Sequence, residues 1–228
     1  METREDYYAK RAQDMKGEHV VADYLDTYFY PTWTTSTTRN YDVKTQVKGV
    51  DITVTSKKGY KFVIDEKAAI KWANNNLQTF ALEIDSVNGR GELYNGWFMD
   101  ATAINDYWLF VWLDVTTGRL DSKDDIKTAT VSLVKKTDMY EFLQRKGVHS
   151  EDIKQKAAEV RTMVGMLGKY YMNNGRNKIK GFKITLQTDN WEQATNILVR
   201  KDDIINSIST YSVQINNGKV IPLRLKTT

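Results

Sequence analysis

Cysteine is absent from this chain of 228 residues, and histidine and proline each occur only twice. Without cysteine the protein has no disulfide, no thiol nucleophile and no zinc–thiolate site. A histidine-based metal site or a Ser-His-Asp triad would depend on His19 or His149, and neither shows a catalytic pattern. The side chains that remain as candidates for catalysis are carboxylates and lysines, which could act together with a bound metal ion.

Long apolar segments are also missing. The most continuous one, residues 107–113, is far shorter than the roughly 18–20 residues that a membrane-spanning helix needs. The first residues are charged with both signs and lack the apolar stretch of a signal peptide. These absences predict a cytoplasmic protein with no membrane partner, and the length suits one sizeable domain with a smaller extension.

A β-hairpin is predicted around residue 59. Two β-branched, apolar segments, residues 50–54 and 60–64, flank a polar turn that contains a glycine. Side chains alternate along a strand, so Asp65 and Lys67 project from one face, and the hairpin can bring Asp51 beside them. Two carboxylates and an ammonium in such a place are costly unless something binds them. Mg²⁺ is a suitable partner, because proteins hold it with one or two carboxylates plus phosphate oxygens.

At these residues the chain resembles the PD-(D/E)xK phosphodiesterase superfamily, which includes restriction enzymes, Holliday-junction resolvases and phage exonucleases. The resemblance covers roughly the first half of the chain. It implies that Asp51 and Asp65 hold Mg²⁺ or Mn²⁺ and that Lys67 positions or activates the attacking water. Glu66 is an alternative metal ligand. Val50 stands where the family's name places proline.

A long helix is predicted upstream, over residues 5–30, because apolar residues recur there at the 3–4 spacing of a core-facing stripe. Glu18 falls on this stripe. Many members of the superfamily supply a glutamate from the first helix to the active site, and the resemblance implies this role for Glu18. A solvated glutamate at the margin of the stripe fits the periodicity equally well.

Further strands are predicted at residues 79–84, 96–99 and 107–113, which favours an α/β or α+β layer architecture. The resemblance implies a restriction-endonuclease-like core, with a central mixed β-sheet flanked by helices, over residues 1–135. Residues 136–228 are then a basic elaboration of helices and strands, packed on the core as one compact unit.

The two parts of the chain differ in charge. Residues 1–144 have a net charge of −4 and residues 145–228 have one of +8, which gives the total of +4. A basic surface attracts phosphate backbones in a salt-sensitive way, and Tyr170 and Tyr171 could stack on bases. An ordinary solvated face is the alternative. The predicted nucleic-acid contacts are Lys154, Lys156, Arg161, Arg176, Lys178, Lys180 and Lys183.

Together with the basic C-terminal part, the resemblance implies a metal-dependent nuclease that hydrolyses DNA phosphodiester bonds. Two alternatives remain open: a catalytically inactive nucleic-acid-binding protein that keeps the nuclease fold, and a phage or mobile-element interaction protein whose carboxylates are paired surface charges. The choice between DNA and RNA, and between endonuclease and exonuclease action, is open as well. The resemblance makes a homodimer one expected assembly, since many members cut both strands as dimers.

Overall fold

The computed structural model describes residues 4–88, 90–116, 118–188 and 192–223, and its fold is α+β. The helices are α1 (Arg4–Tyr28), α2 (Val43–Gln46), α3 (Lys136–Arg145), α4 (Ser150–Leu167), α5 (Lys169–Asn173) and α6 (Lys201–Asp203). The strands are β1 (Thr34–Arg39), β2 (Ile52–Ser56), β3 (Lys61–Ala68), β4 (Thr79–Val87), β5 (Leu93–Asn95), β6 (Tyr107–Val115), β7 (Ile126–Lys135), β8 (Lys178–Ile179), β9 (Phe182–Leu186), β10 (Thr195–Arg200), β11 (Tyr211–Asn216) and β12 (Lys219–Pro222).

The chain divides into two compact units, and neither is continuous in sequence. The first unit contains the described residues of the segments 4–78, 104–139 and 201–223. The second unit contains those of the segments 79–103 and 140–200. Each unit therefore takes segments from both sides of residue 135, the boundary expected from the sequence.

The first unit is built on a curled, mixed sheet with the order β1-β2-β3-β6-β7-β11-β12. Its neighbouring strands are antiparallel except for β3 and β6, which run parallel with Asp65 opposite Trp108. Strand β6 lies centrally and is buried from Trp108 to Leu113. This explains its almost continuous apolar sequence, since a strand covered on both faces needs no polar alternation.

Helix α1 supplies much of the core that covers one face of this sheet. Strand β2 alternates between buried and half-buried side chains, and its buried residues face the same core. The burial of large apolar side chains is the main force that holds this layer to the sheet. The core combines Val21, Tyr24, Leu25 and Phe29 with Ile52, Val54, Ile64, Leu109, Val111, Leu113, Val131 and Val213.

The second unit contains an antiparallel sheet with the order β5-β4-β10-β9-β8. Helix α4 packs apolar residues inward, with Ile153, Ala157, Val160 and Val164 buried at helical spacing. Its amino terminus is closed by a capping box between His149 and Asp152, which satisfies backbone donors that the helix itself cannot pair.

Most predicted elements are confirmed, including α1, the β2–β3 hairpin and β6. The prediction of a strand at residues 96–99 is wrong: the strand β5 ends at Asn95, and residues 97–99 form a turn. Strand β4 exists as predicted, but it pairs with β5 and β10 in the second sheet. No helix in the described segments is long and apolar enough to cross a membrane.

Candidate active site

The β2–β3 hairpin brings Asp51 and Asp65 together, as the sequence predicts. Ile52 pairs with Ile64 in the register of the two strands, and the backbone N–H of Asp51 donates to the Ile64 carbonyl at 3.1 Å. The Oδ2 atom of Asp51 accepts a hydrogen bond of 2.7 Å from the backbone N–H of Glu66. This contact holds the Asp51 carboxylate against the strand that bears Asp65.

Lys67 completes the group by an ion pair with Asp65. Its Nζ lies 2.5 Å from Asp65 Oδ1, and the Asp65 side chain is 4% exposed while that of Lys67 is 25% exposed. Burial alone would lower the pKa of Lys67, but the charges of Asp65 and Asp51 raise it above its usual value. Lys67 is therefore a firmly protonated cation that still reaches solvent.

The surroundings of Asp51 disfavour its ionised form. Burial, and then the neighbouring Asp65 charge, raises the pKa of Asp51 from 3.8 to about 7, while Lys67 and the Glu66 hydrogen bond act in the opposite direction. Two carboxylates at close range disfavour a second negative charge. A cation bound between them would remove this penalty, which is the behaviour expected of a metal-binding pair.

Gly49 lies next to both Asp65 and Asn105, and no role is predicted from the sequence for Gly49 or Asn105. Gly49 has a φ of +76°, and a β-carbon there would lie 3.0 Å from Asn105 Oδ1 and 3.4 Å from Asp65 Oδ2. Asn105 is 5% exposed. Its Nδ2 donates to the Tyr107 carbonyl at 3.1 Å, whereas its Oδ1 is buried and accepts no hydrogen bond within the described segments.

Glu66, the alternative metal ligand in the sequence, points away from this group. Arg39 Nη1 lies 2.8 Å from Glu66 Oε2, and the Tyr30 hydroxyl donates to Glu66 Oε1 at 2.6 Å. Arg39 also pairs with Asp26, with Nε 2.6 Å from Oδ2. Glu66 thus belongs to a separate, partly buried ion-pair group on the opposite face of β3, as strand alternation requires.

Glu18 lies on the exposed side of α1. Burial has the largest effect on the pKa of Lys67 and lowers it, whereas the charges of Asp65, Asp51 and, last, Glu18 raise it. The Glu18 charge therefore acts on Lys67 only weakly. The structure therefore brings Asp51, Asp65 and Lys67 together, with Glu18 at longer range and Glu66 on another face.

The residues present suit a hard divalent cation. Asp51 lies beside Asp65, and Gly49 lies next to both Asp65 Oδ2 and the Asn105 amide oxygen, which has no partner in the described segments. Oxygen donors of this kind bind Mg²⁺ and Mn²⁺. Among the described residues, no group of three or more histidines and carboxylates is placed to hold a metal ion alone. Water and phosphate oxygens would therefore have to supply much of the coordination, as is usual for Mg²⁺.

The predicted nucleic-acid contacts fall into two groups in the second unit. Two are paired within the protein: Lys156 Nζ lies 2.9 Å from Glu159 Oε1, and Arg161 binds the buried Asp85. The other five are exposed on α4 or in and beside the β8–β9 hairpin: Lys154, Arg176, Lys178, Lys180 and Lys183.

The β8–β9 hairpin places like charges face to face. Lys178 and Lys183 are direct partners in the antiparallel register, so their side chains project from the same face. Lys180 and Gly181 form the turn, both with positive φ. Tyr170, on α5, is 68% exposed, whereas Tyr171 is 1% exposed and hydrogen-bonds Glu159. Tyr171 is therefore not available for stacking on bases.

Comparison with known proteins adds no relative: no model of a protein family, no curated protein and no solved structure matches this chain.

Proposed function

We propose that this protein is a Mg²⁺- or Mn²⁺-dependent nuclease that hydrolyses DNA phosphodiester bonds. Asp51 and Asp65 are its metal ligands, and Lys67 positions the attacking water. The observation that carries the proposal is the meeting of these three side chains at one end of the β2–β3 hairpin, with Lys67 held 2.5 Å from Asp65.

The chemistry of these residues supports phosphodiester hydrolysis. When bound, a divalent cation would stabilise negative charge on the phosphoryl oxygens and lower the pKa of a coordinated water. Lys67 stays protonated, because Asp65 and Asp51 outweigh the effect of burial on its pKa. Its ammonium can donate a hydrogen bond to the attacking water or to a phosphate oxygen, and the ion pair with Asp65 fixes its direction.

The first unit supports the finer proposal of a restriction-endonuclease-like core. Its central sheet is mixed, with a parallel pair at β3 and β6, and α1 packs on one face of that sheet. Asp65 and Lys67 lie on β3, the hairpin strand that pairs with β6, and Asp51 directly precedes β2. A strand that is paired on both sides, as β3 is with β2 and β6, is a suitable support for groups that must hold fixed distances.

The β8–β9 hairpin supports nucleic acid as the substrate class. Like charges directly opposite each other destabilise an antiparallel pair, and a phosphate backbone bound across Lys178 and Lys183 would relieve that repulsion. Arg176 lies just before this hairpin and Lys180 lies in its turn. Contacts of this type are independent of base sequence and weaken as salt concentration rises.

The experiment that tests the proposal is a cleavage assay on linear, circular, single-stranded and branched DNA and on RNA. Each substrate is incubated with Mg²⁺, Mn²⁺ or EDTA. We expect DNA cleavage that requires the metal and falls by about 100-fold or more in Lys67→Ala, Asp51→Asn and Asp65→Asn. Lys61→Ala is the matched control, because Lys61 begins the same strand and is exposed.

Activity that survives EDTA, or a Lys67→Ala protein that cuts as well as the Lys61→Ala control, would show that the assignment is wrong. Circular dichroism of each variant separates loss of chemistry from loss of fold. Cleavage of RNA alone would keep the site and change the substrate.

A nucleic-acid-binding protein without nuclease activity is the second candidate, and the exposed lysine pair of the β8–β9 hairpin favours it. In that case DNA binding depends on salt and on Lys178 and Lys183, whereas Asp65→Asn leaves binding unchanged and no substrate is cut with either metal. Binding curves at several salt concentrations, measured beside the cleavage assay, distinguish the two functions.

A further inference from the structure

We propose that Asn105 is a third protein ligand of the divalent cation, through its side-chain oxygen Oδ1. The inference rests on the proposed function, since it concerns the same metal. It adds a residue that neither the hairpin pattern nor the carboxylate spacing identifies.

The orientation of the Asn105 side chain is fixed. Its Nδ2 donates to the Tyr107 carbonyl at 3.1 Å, and the reversed amide would set two oxygens against each other. Oδ1 therefore faces the opposite way, where Gly49 lies. A buried carbonyl oxygen without a partner is destabilising, so this arrangement needs a compensating interaction.

The surroundings of Oδ1 indicate what that partner is. A β-carbon on Gly49 would lie 3.0 Å from Asn105 Oδ1 and 3.4 Å from Asp65 Oδ2, so both oxygens lie on the same side of Gly49. Acceptor oxygens brought together in this way repel a further acceptor and attract a cation. An amide oxygen is also neutral, and it adds a ligand without adding to the repulsion that already raises the pKa of Asp51.

Asn177, in the second unit, supplies an internal comparison. It too is fully buried, its Nδ2 donates to the Ile184 carbonyl at 2.6 Å, and its Oδ1 has no partner in the described segments. What distinguishes Asn105 is its position, since its Oδ1 and Asp65 Oδ2 lie on the same side of Gly49. The proposal for Asn105 therefore depends on Asp65 and Gly49, and it does not extend to every orphaned asparagine oxygen.

The test is Mn²⁺ binding, measured by electron paramagnetic resonance without substrate. The proteins are the wild type, Asn105→Ala, Asn105→Asp, Asp65→Asn and the matched control Asn177→Ala. We expect Asn105→Ala to weaken Mn²⁺ binding by about tenfold or more and Asn177→Ala to leave it unchanged. Asn105→Asp restores an oxygen ligand and should recover the affinity at pH 8.

A second measurement uses the wild type alone, so that an unfolded variant cannot obscure the answer. On titration with Mg²⁺, the side-chain amide resonances of Asn105 should shift while those of Asn177 stay in place. Equal Mn²⁺ affinity of Asn105→Ala and the wild type, or an unmoved Asn105 resonance, overturns this inference. In that event binding that is lost in Asp65→Asn keeps the proposed function. A wild type that binds no Mn²⁺ overturns both.

Discussion

Replacing Asp51 with asparagine should stabilise the metal-free protein at neutral and alkaline pH. Asp51 is ionised in the unfolded chain above pH 3.8, but in the folded protein burial and Asp65 raise its pKa to about 7. The folded state therefore holds a proton that the unfolded state releases, and stability falls as pH rises from about 4 to 7. Asparagine stays neutral throughout and keeps an oxygen for the Glu66 N–H.

The magnitude follows from the size of the shift. About three pKa units correspond to roughly 4 kcal/mol at 1.36 kcal/mol per unit, as an upper bound. The charge of the site is spread over Lys67 and Asp65 as well as Asp51. We therefore expect Asp51→Asn to raise the free energy of unfolding by about 1–3 kcal/mol at pH 8. The advantage of Asp51→Asn over the wild type should grow between pH 5 and pH 7 and then level off.

Urea unfolding in EDTA, followed by tryptophan fluorescence at pH 5, 6, 7 and 8, measures this advantage. Asp42→Asn is a control of opposite sign, because hydrogen bonds from Thr45 lower the pKa of Asp42 and its ionised form favours the folded state. An Asp51→Asn protein that is less stable than the wild type at pH 8, or a difference that does not change with pH, would refute the reasoning. With Mn²⁺ present the wild type should regain the lost stability and Asp51→Asn should not.

Three other substitutions test separate parts of the structure. Gly49→Ala should cost about 1–3 kcal/mol of unfolding free energy and weaken Mn²⁺ binding, since it combines a positive φ with a β-carbon 3.0 Å from Asn105 Oδ1; Gly59→Ala, with open space around it, should cost only the backbone strain. Arg39→Leu should cost about 3 kcal/mol in urea unfolding by leaving Glu66 buried without its cation, and Arg39→Lys should recover only part of that, because lysine lacks the planar fork that spans both carboxylates. Lys178→Glu should raise the free energy of unfolding by about 0.2–1 kcal/mol and weaken DNA binding. A rise in DNA affinity would contradict the assignment of this hairpin.

The sequence could predict the central part of the candidate site because the relevant information is local. A glycine turn between two β-branched segments specifies the hairpin, and strand alternation then puts Asp65 and Lys67 on one face and Glu66 on the other. Asn105 could not be found this way, since an asparagine before a strand is usual in turns. Its proximity to Asp65 depends on the parallel pairing of β3 with β6, and parallel pairing joins segments that are distant in sequence.

Pairing partners limited the rest of the prediction. The pattern of residues 79–84 identifies a strand, but its neighbour β10 lies more than a hundred residues later in the chain. The alternation of side chains along a strand does not indicate which other strand it pairs with. The same holds for Arg161, whose partner Asp85 comes from β4. The Lys156–Glu159 pair could have been predicted from the sequence, because residues three apart on a helix are neighbours.

The division into interleaved segments sets the order in which the protein can be completed during synthesis. When the ribosome has released the chain through Arg200, every segment of the second unit is present, but the first unit still lacks β11 and β12. The outer edge of β7 then has no neighbour, although it will later carry six register pairs with β11. A nascent chain stalled there would expose an unpaired strand edge, which is a template for association with other chains. β11 therefore covers the edge of β7 only after every segment of the second unit has been made.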